Sequence, residues 1–241
     1  MRFTRSTIAF VLAAAALPGV ARCADDKPTR LTADFGYVKT SGNSDVTTIS
    51  GTDKLVHVAG AWSFTQEAGA VWGETEGIES AARYGFSLRT DRKLNERLSA
   101  YGLASWRRNT FAGISRQFDE GLGLAWHAVT AKPHTLDLEA GAGLNQRRTT
   151  LEQDESFSTG RAGAFYGYDF SEKSRFEARG AYLVNLEDSE DSEGNARLSV
   201  AAPVAGSLAL KVSYDLLYRN KPQPGLEKTD TTLGVGVQAT F

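Results

Sequence analysis

The C-terminal segment places Thr231, Leu233, Val235, Val237, Ala239 and Phe241 on one set of alternate positions. Thr232, Gly234, Gly236, Gln238 and Thr240 fill the other. Side chains of a strand point to opposite faces in turn, so this segment has one largely apolar face and one small, polar face. Similar stripes stepping by two occur at Leu31-Ala33-Phe35-Tyr37, Trp62-Phe64, Tyr84-Phe86-Leu88 and Phe118-Glu120-Leu122-Leu124-Trp126. They continue through Leu136–Leu144, Ala162–Phe170, Phe176–Leu186, Leu198–Val204 and Leu208–Tyr218. Soluble sandwiches also alternate, but their strands usually hold about five or six residues. The segments here run to about nine to fourteen, enough for a tilted strand to cross a membrane.

The connections add an independent constraint. Twelve strands leave long polar connections at 40–45, 73–79, 109–114, 147–155, 187–194 and 220–229. Short ones fall near 58–60, 92–95, 130–133, 171–173 and 205–206. Long outer loops alternating with short periplasmic turns are characteristic of outer-membrane barrels, and an even strand count puts both termini on the periplasmic side. On this topology Trp62, Trp126, Phe170, Phe176 and Phe241 fall near one end of their strands. Tyr37, Trp72, Trp106, Phe118 and Tyr218 fall near the other. Aromatic rings prefer the two lipid–water boundaries, so two girdles are expected.

The N-terminus reads as an export signal. Arg2 and Arg5 precede an apolar run from Ile8 to Leu17, Pro18 and Gly19 break it, and Ala21-Arg22-Cys23 supplies a cleavage site. The run is too short to span a bilayer core of about 30 Å. Lipidation of Cys23 is the poorer fit, because Arg22 directly precedes it. The expected organisation is a signal peptide at 1–23, a short polar leader at 24–29, and an all-β, single antiparallel transmembrane β-barrel of about 12 strands at 30–241. Cleavage leaves 24 basic against 29 acidic residues and no cysteine. That mildly acidic balance, without a basic cluster, argues against nucleic acid as a partner.

The inward positions carry the charges. Arg83, Arg89, Arg107, Arg161, Arg175, Arg179, Arg197 and Lys211 face Asp34, Glu67, Asp91, Asp119, Asp137, Glu139, Asp169, Glu177 and Asp215. The near balance suggests pairs that brace the wall. Arg83, Arg89, Arg161, Arg175, Arg179, Asp119, Asp137, Glu139 and Glu177 are the candidate lumen-lining residues. Inward glycines cluster at 121, 123, 141, 143, 163, 167, 234 and 236, marking bends or close approaches to the backbone. Five carboxylates lie between Glu187 and Gly194, but without EF-hand spacing, so a solvated loop is expected rather than a metal site. His57, His127 and His134 lie near the short turns, away from the half where a surface enzyme would need a base. No catalytic residue, cofactor or metal is expected.

Gly36-Tyr37-Val38 followed by Thr40-Ser41-Gly42-Asn43-Ser44-Asp45 resembles the signature of the YdiY-like, DUF481 family. Arg83-Tyr84, Phe111-Ala112-Gly113-Ile114 and Gly121-Leu122-Gly123 are similar to later family segments. Members are described as salt-induced outer-membrane proteins, without an established substrate or catalytic residues. The resemblance implies barrel form, outer-membrane location and a link to salt or osmotic stress. Phe241 resembles the terminal signal read by the barrel assembly machinery, which with outer-membrane lipid makes up the expected partners of a monomer. The reading is a narrow pore or a structural envelope component. A surface lipase or protease and a ligand-binding or adhesion barrel are the alternatives.

Overall fold

A computed structural model describes residues 28–40, 46–171 and 174–241. The signal peptide with Cys23, most of the leader and the 41–45 part of the family signature lie outside the described residues. Twelve strands follow one another around a closed ring: β1 Thr29–Thr40, β2 Val46–Ala59, β3 Trp62–Thr75, β4 Ile78–Lys93, β5 Leu98–Asn109 and β6 Ile114–Val129. The second half is β7 His134–Thr149, β8 Asp154–Asp169, β9 Arg175–Asn185, β10 Ser192–Ala205, β11 Leu208–Arg219 and β12 Thr229–Thr240. Every neighbouring pair is antiparallel, and β12 closes on β1 with Ala33 opposite Ala239, Asp34 opposite Gln238 and Phe35 opposite Val237. Closure matters physically, because an open edge facing lipid would leave backbone polar groups without partners. No helix among the described residues is long and apolar enough to cross a membrane; this chain crosses with strands.

The alternation sorts the side chains. Phe35, Phe64, Phe86, Leu122, Leu124, Leu198, Leu210, Leu233 and Val235 stand exposed on the outer wall. Trp62, Trp126, Phe170 and Phe241 are exposed toward the end that holds the termini, and Tyr37 and Phe118 toward the opposite, loop-bearing end. That outer apolar belt between aromatic boundaries is the surface a bilayer covers.

The loop end is trimmer than expected. The connection expected at 73–79 is a tight hairpin turn, with Glu76 and Gly77 both at positive φ (52° and 79°) as a type I′ turn requires. Strands β3 and β4 extend the ladder almost to it. The connection expected over 147–155 shrinks to 150–153 for the same reason. The β5–β6 connection is a short 3-10 turn, Thr110–Ala112, ended by Gly113 in the left-handed conformation. The longest described connection lies between Arg219 and Thr229.

Two seams of the ring bend sharply. A Cβ at Gly123 or Gly143 would run into the carbonyl oxygens of Ala140 and Glu120 on the facing strand. At Gly236 it would meet the carbonyl oxygen of Phe35 across the closing seam. Only glycine lets the backbones fold inward this far at β6–β7 and at β12–β1. These seams stand opposite each other in the ring, so the barrel is flattened, with β3–β5 brought toward β9–β10.

Candidate functional site

The flattening determines what meets inside. Glu67 on β3 accepts a hydrogen bond from Arg179 Nη1 on β9 at 3.3 Å, across the lumen. Nearer the loop end, Arg107 on β5 reaches Glu193 on β10 with a bidentate pair of 2.5 and 2.6 Å. Arg219 on β11 approaches the same carboxylate at 3.3 Å and donates to Ala112 O at 2.6 Å. These bridges tie the two broad walls together along the short axis.

One side of the lumen is filled. Glu139 receives Arg89 at 2.6 Å and Arg161 at 3.1 Å, while Arg89 also pairs with Asp91 at 2.9 Å. The Arg89 guanidinium lies 4.2 Å from the centre of the Tyr101 ring. Tyr101 is buried and stacks over the glycine corner, with its hydroxyl end against Gly123 and Gly141. Asp119 is held in the same half by Gln117 at 3.1 Å and Asn145 at 2.5 Å. Arg147 bridges Glu155 (2.5 Å) and Asp191 (2.9 Å) near the loops.

The other side is open. A cavity of about 720 Å³ extends from Arg30 and Thr240 toward Asn109, Ile114 and Arg219 at the loop end. Nine basic side chains line it: Arg30, Lys54, Arg83, Arg107, Arg175, Arg179, Arg197, Lys211 and Arg219. The inward carboxylates on that wall are Asp34, Glu67, Glu177 and Asp215, with Glu193 behind Arg107 and Arg219. Asp34 is shared by Lys211 (2.7 Å), Gln238 (2.8 Å) and Thr52 (2.9 Å). Arg175 pairs with Asp169 (2.8 Å) and Glu177 (3.1 Å), Arg179 approaches Glu177 at 3.7 Å, and Arg197 pairs with Asp215. Arg83 has no ion-pair partner among the described residues. The overall balance of inward charge therefore hides a segregation. Asp91, Asp119, Asp137, Glu139 and Asp169 do not line the cavity, and its wall carries an excess of positive charge.

Glu193 and Arg219 were legible only by extending the alternation. Glu193 is in step with Arg197, and Arg219 with Lys211 and Asp215. The acidic run had placed Glu193 in a solvated loop, but it opens β10 and points inward. Asp191 is taken by Arg147, and Asp188 and Glu190 by Lys221 at 2.6 and 3.1 Å. Four of the run's five carboxylates are thus ion-paired among the described residues, and Glu187 Oε1 accepts from the Ser158 N–H at 3.5 Å. The described residues hold no cluster of three or more metal-ligating groups.

One arrangement differs from the sequence reading of the histidines. Ser99 Oγ lies 3.0 Å from His127 Nε2, and His127 Nδ1 lies 2.7 Å from Asp137 Oδ1. Inward positions on β5, β6 and β7 bring the three together, which the expected placement of the histidines denied. The order is that of a hydrolase triad. Ser99 is only 5% exposed, however, and none of the three lines the cavity. The row lies in the wall below Tyr101.

Fold and site define a transmembrane β-barrel of the porin type, with a narrow, partly filled lumen. The chain belongs to the DUF481 family, described as a protein of unknown function, whose family model matches residues 33–241. Among solved structures it is similar to the NanC porin (11% identity, TM-score 0.54), over 87% of this chain and 98% of that one. It is also similar to an outer-membrane channel from Pseudomonas putida F1 (11% identity, TM-score 0.55), over 93% and 99%. At these identities the likeness is one of fold. No curated protein matches the chain in sequence.

Proposed function

We propose that this protein is a narrow outer-membrane pore that favours small anions. The observation that carries the reading is the excess of basic side chains along the open cavity. A charged ring or wall raises the local concentration of the opposite ion and sets selectivity. Arg83, which lines the cavity toward the loop end opposite Asn109 and forms no ion pair among the described residues, is a group available to a passing anion. The cross-lumen bridges Glu67–Arg179 and Arg107–Glu193 set the narrowest points, so solutes are small.

On this reading the termini lie in the periplasm, the signal peptide delivers the chain for export, and Phe241 engages the assembly machinery. The protein works as a monomer in outer-membrane lipid, and a link to osmotic or salt stress follows from the family resemblance. Planar-bilayer recording under a salt gradient tests the pore. Stable current steps with an anion-selective reversal potential are expected, and Arg83→Glu should move that potential toward cation preference. Silence from a correctly folded, heat-modifiable barrel would instead favour a structural envelope component. Ester and peptide hydrolysis panels should show no turnover, for wild type and Ser99→Ala alike; turnover lost in Ser99→Ala would restore the enzyme reading.

A further inference from the structure

We propose that the outer wall at β5–β8 holds one phosphorylated, amide-bearing lipid, its phosphate on Arg108, Arg116 and Arg148 and an acyl chain in the groove beside them. The inference rests on the reading of the loop end as the outer leaflet side.

Three arginines converge at this place. Arg116 and Arg148 are direct cross-strand partners on β6 and β7. Like charges directly opposite on a sheet repel, and such a pair persists best when an anion lies between. Ladder irregularities on both sides of Arg116 also bring Arg108 of β5 alongside. Bulges re-aim side chains in this way. Among the described residues the only carboxylate that pairs with them is Asp154, which stays 3.8 Å from Arg116 and 3.9 Å from Arg148, too long for hydrogen bonds. Arg108 has no partner among the described residues. Two guanidinium groups sharing one under-bonded carboxylate, with a third beside Arg116, are an incomplete anion site, and guanidinium suits phosphate by its paired donors.

The wall below completes the ligand. Trp106 and Phe118 form the next outward pair on the same strands, marking the boundary with hydrocarbon. Beyond them the wall recedes into a groove of about 730 Å³, with Gly102, Ala104 and Ala142 between taller Leu88, Leu122 and Leu144. Its small central residues leave a furrow wide enough for an alkyl chain. Glu120 opens into the head of this groove without a partner among the described residues. A lone carboxylate facing lipid is unfavourable. An amide N–H of an N-acylated headgroup would satisfy it, and Glu120 lies about 13 Å along the strand from Arg116 at 3.3 Å per residue. Phosphate, amide and chain are therefore matched in that order, from rim to midplane.

The test is native mass spectrometry of the refolded barrel in zwitterionic micelles, titrated with lipid A as the probe. One retained lipid is expected. Removing its phosphates, or making Arg116→Gln with Arg148→Gln, should weaken retention about tenfold, as loss of charge-assisted bonds implies. Heat-modifiable migration checks folding, and Arg108→Gln at an exposed, unpaired position gives a second variant that leaves the ladder intact. Ala142→Phe, which fills the groove, should weaken lipid A as well. Equal retention by wild type and the arginine variants overturns the proposal. So does displacement by inorganic phosphate that is indifferent to Ala142→Phe, which marks a simple phosphate site. Surface labelling of the β9–β10 loop in intact cells reports the orientation separately, so failure of that reading is distinguishable from failure of the site.

Discussion

The two halves of the lumen are built from the same residue types and behave differently. Around the β6–β7 corner, Glu139 sits between Arg89 and Arg161 with Tyr101 packed against them, and the side chains of Glu139 and Arg89 are 16% and 25% exposed. In the open half, Glu67 and Arg179 bridge the walls with 41% and 39% of their side chains exposed. Glycines without side chains at 121, 123, 141 and 143 create room at the first corner, and long inward side chains fill it. The open half keeps its wall charges beside a cavity. Charge pairing thus braces one half and leaves a polar passage in the other. Burial decides which.

The largest expected effect breaks the filled half. Glu139→Gln leaves two partly buried arginines facing each other and should destabilise the barrel by about 2–4 kcal/mol, measured by urea unfolding in micelles. Glu67→Gln, at the exposed bridge, should cost less than about 1 kcal/mol. It should instead increase conductance and anion preference, because it releases Lys54 and Arg179 and removes a lumen carboxylate. Equal destabilisation by both substitutions would dissolve the distinction between the halves.

Next in size, Gly143→Ala should cost about 1–3 kcal/mol, since the added methyl meets the backbone of β6 rather than a movable side chain. An alanine at Gly180, where the nearest atom beyond its chain neighbours is 3.7 Å away, should be close to neutral. If both glycines tolerate alanine equally, the corner is not the cause of the flattening.

The smallest effect concerns the loops above the lumen. Thr150 Oγ1 donates to Gln223 at 2.9 Å, and Gln223 Nε2 donates to Gly113 O at 3.0 Å, so the last loop is fastened over the β5–β6 turn. Lys221 ties that loop to the β9–β10 loop through Asp188. The hydrogen bond from Lys221 holds the Asp188 carboxyl below its ordinary value of 3.8, and the bond to Asp188 raises Lys221 above 10.5. The Asp188 contribution is therefore complete above pH 3.8 and lost as pH falls through the depressed folded value. The Lys221 contribution is complete below pH 10.5 and lost as pH rises through the raised one. Spin labels on the two loops should report a constant separation between those limits and a wider one in acid. Lys221→Gln should reproduce the wider separation at neutral pH.

Much of this architecture was legible in advance, for specific reasons. Strand identity came from the period of two, because lipid outside and polar groups inside demand it at every crossing. The seam between β1 and β12 followed from closure. The tight Glu76-Gly77 turn was missed because a polar stretch of glutamates and glycines reads equally as loop or as hairpin. Glu193 was missed because it closes an acidic run whose other members do lie in a loop. Ser99, His127 and Asp137 were not brought together because the three strands' relative register is invisible in a single chain.

The sequence by itself determined that the chain is a transmembrane barrel, which side chains face lipid, and where the ring closes, since alternation is a local property repeated strand by strand. Only the tertiary structure decided which inward charges meet. Arg179 and Glu67 are 112 residues apart and Arg107 and Glu193 are 86 apart. They touch because glycine corners flatten the ring, and curvature of a closed sheet is a property of all twelve strands together.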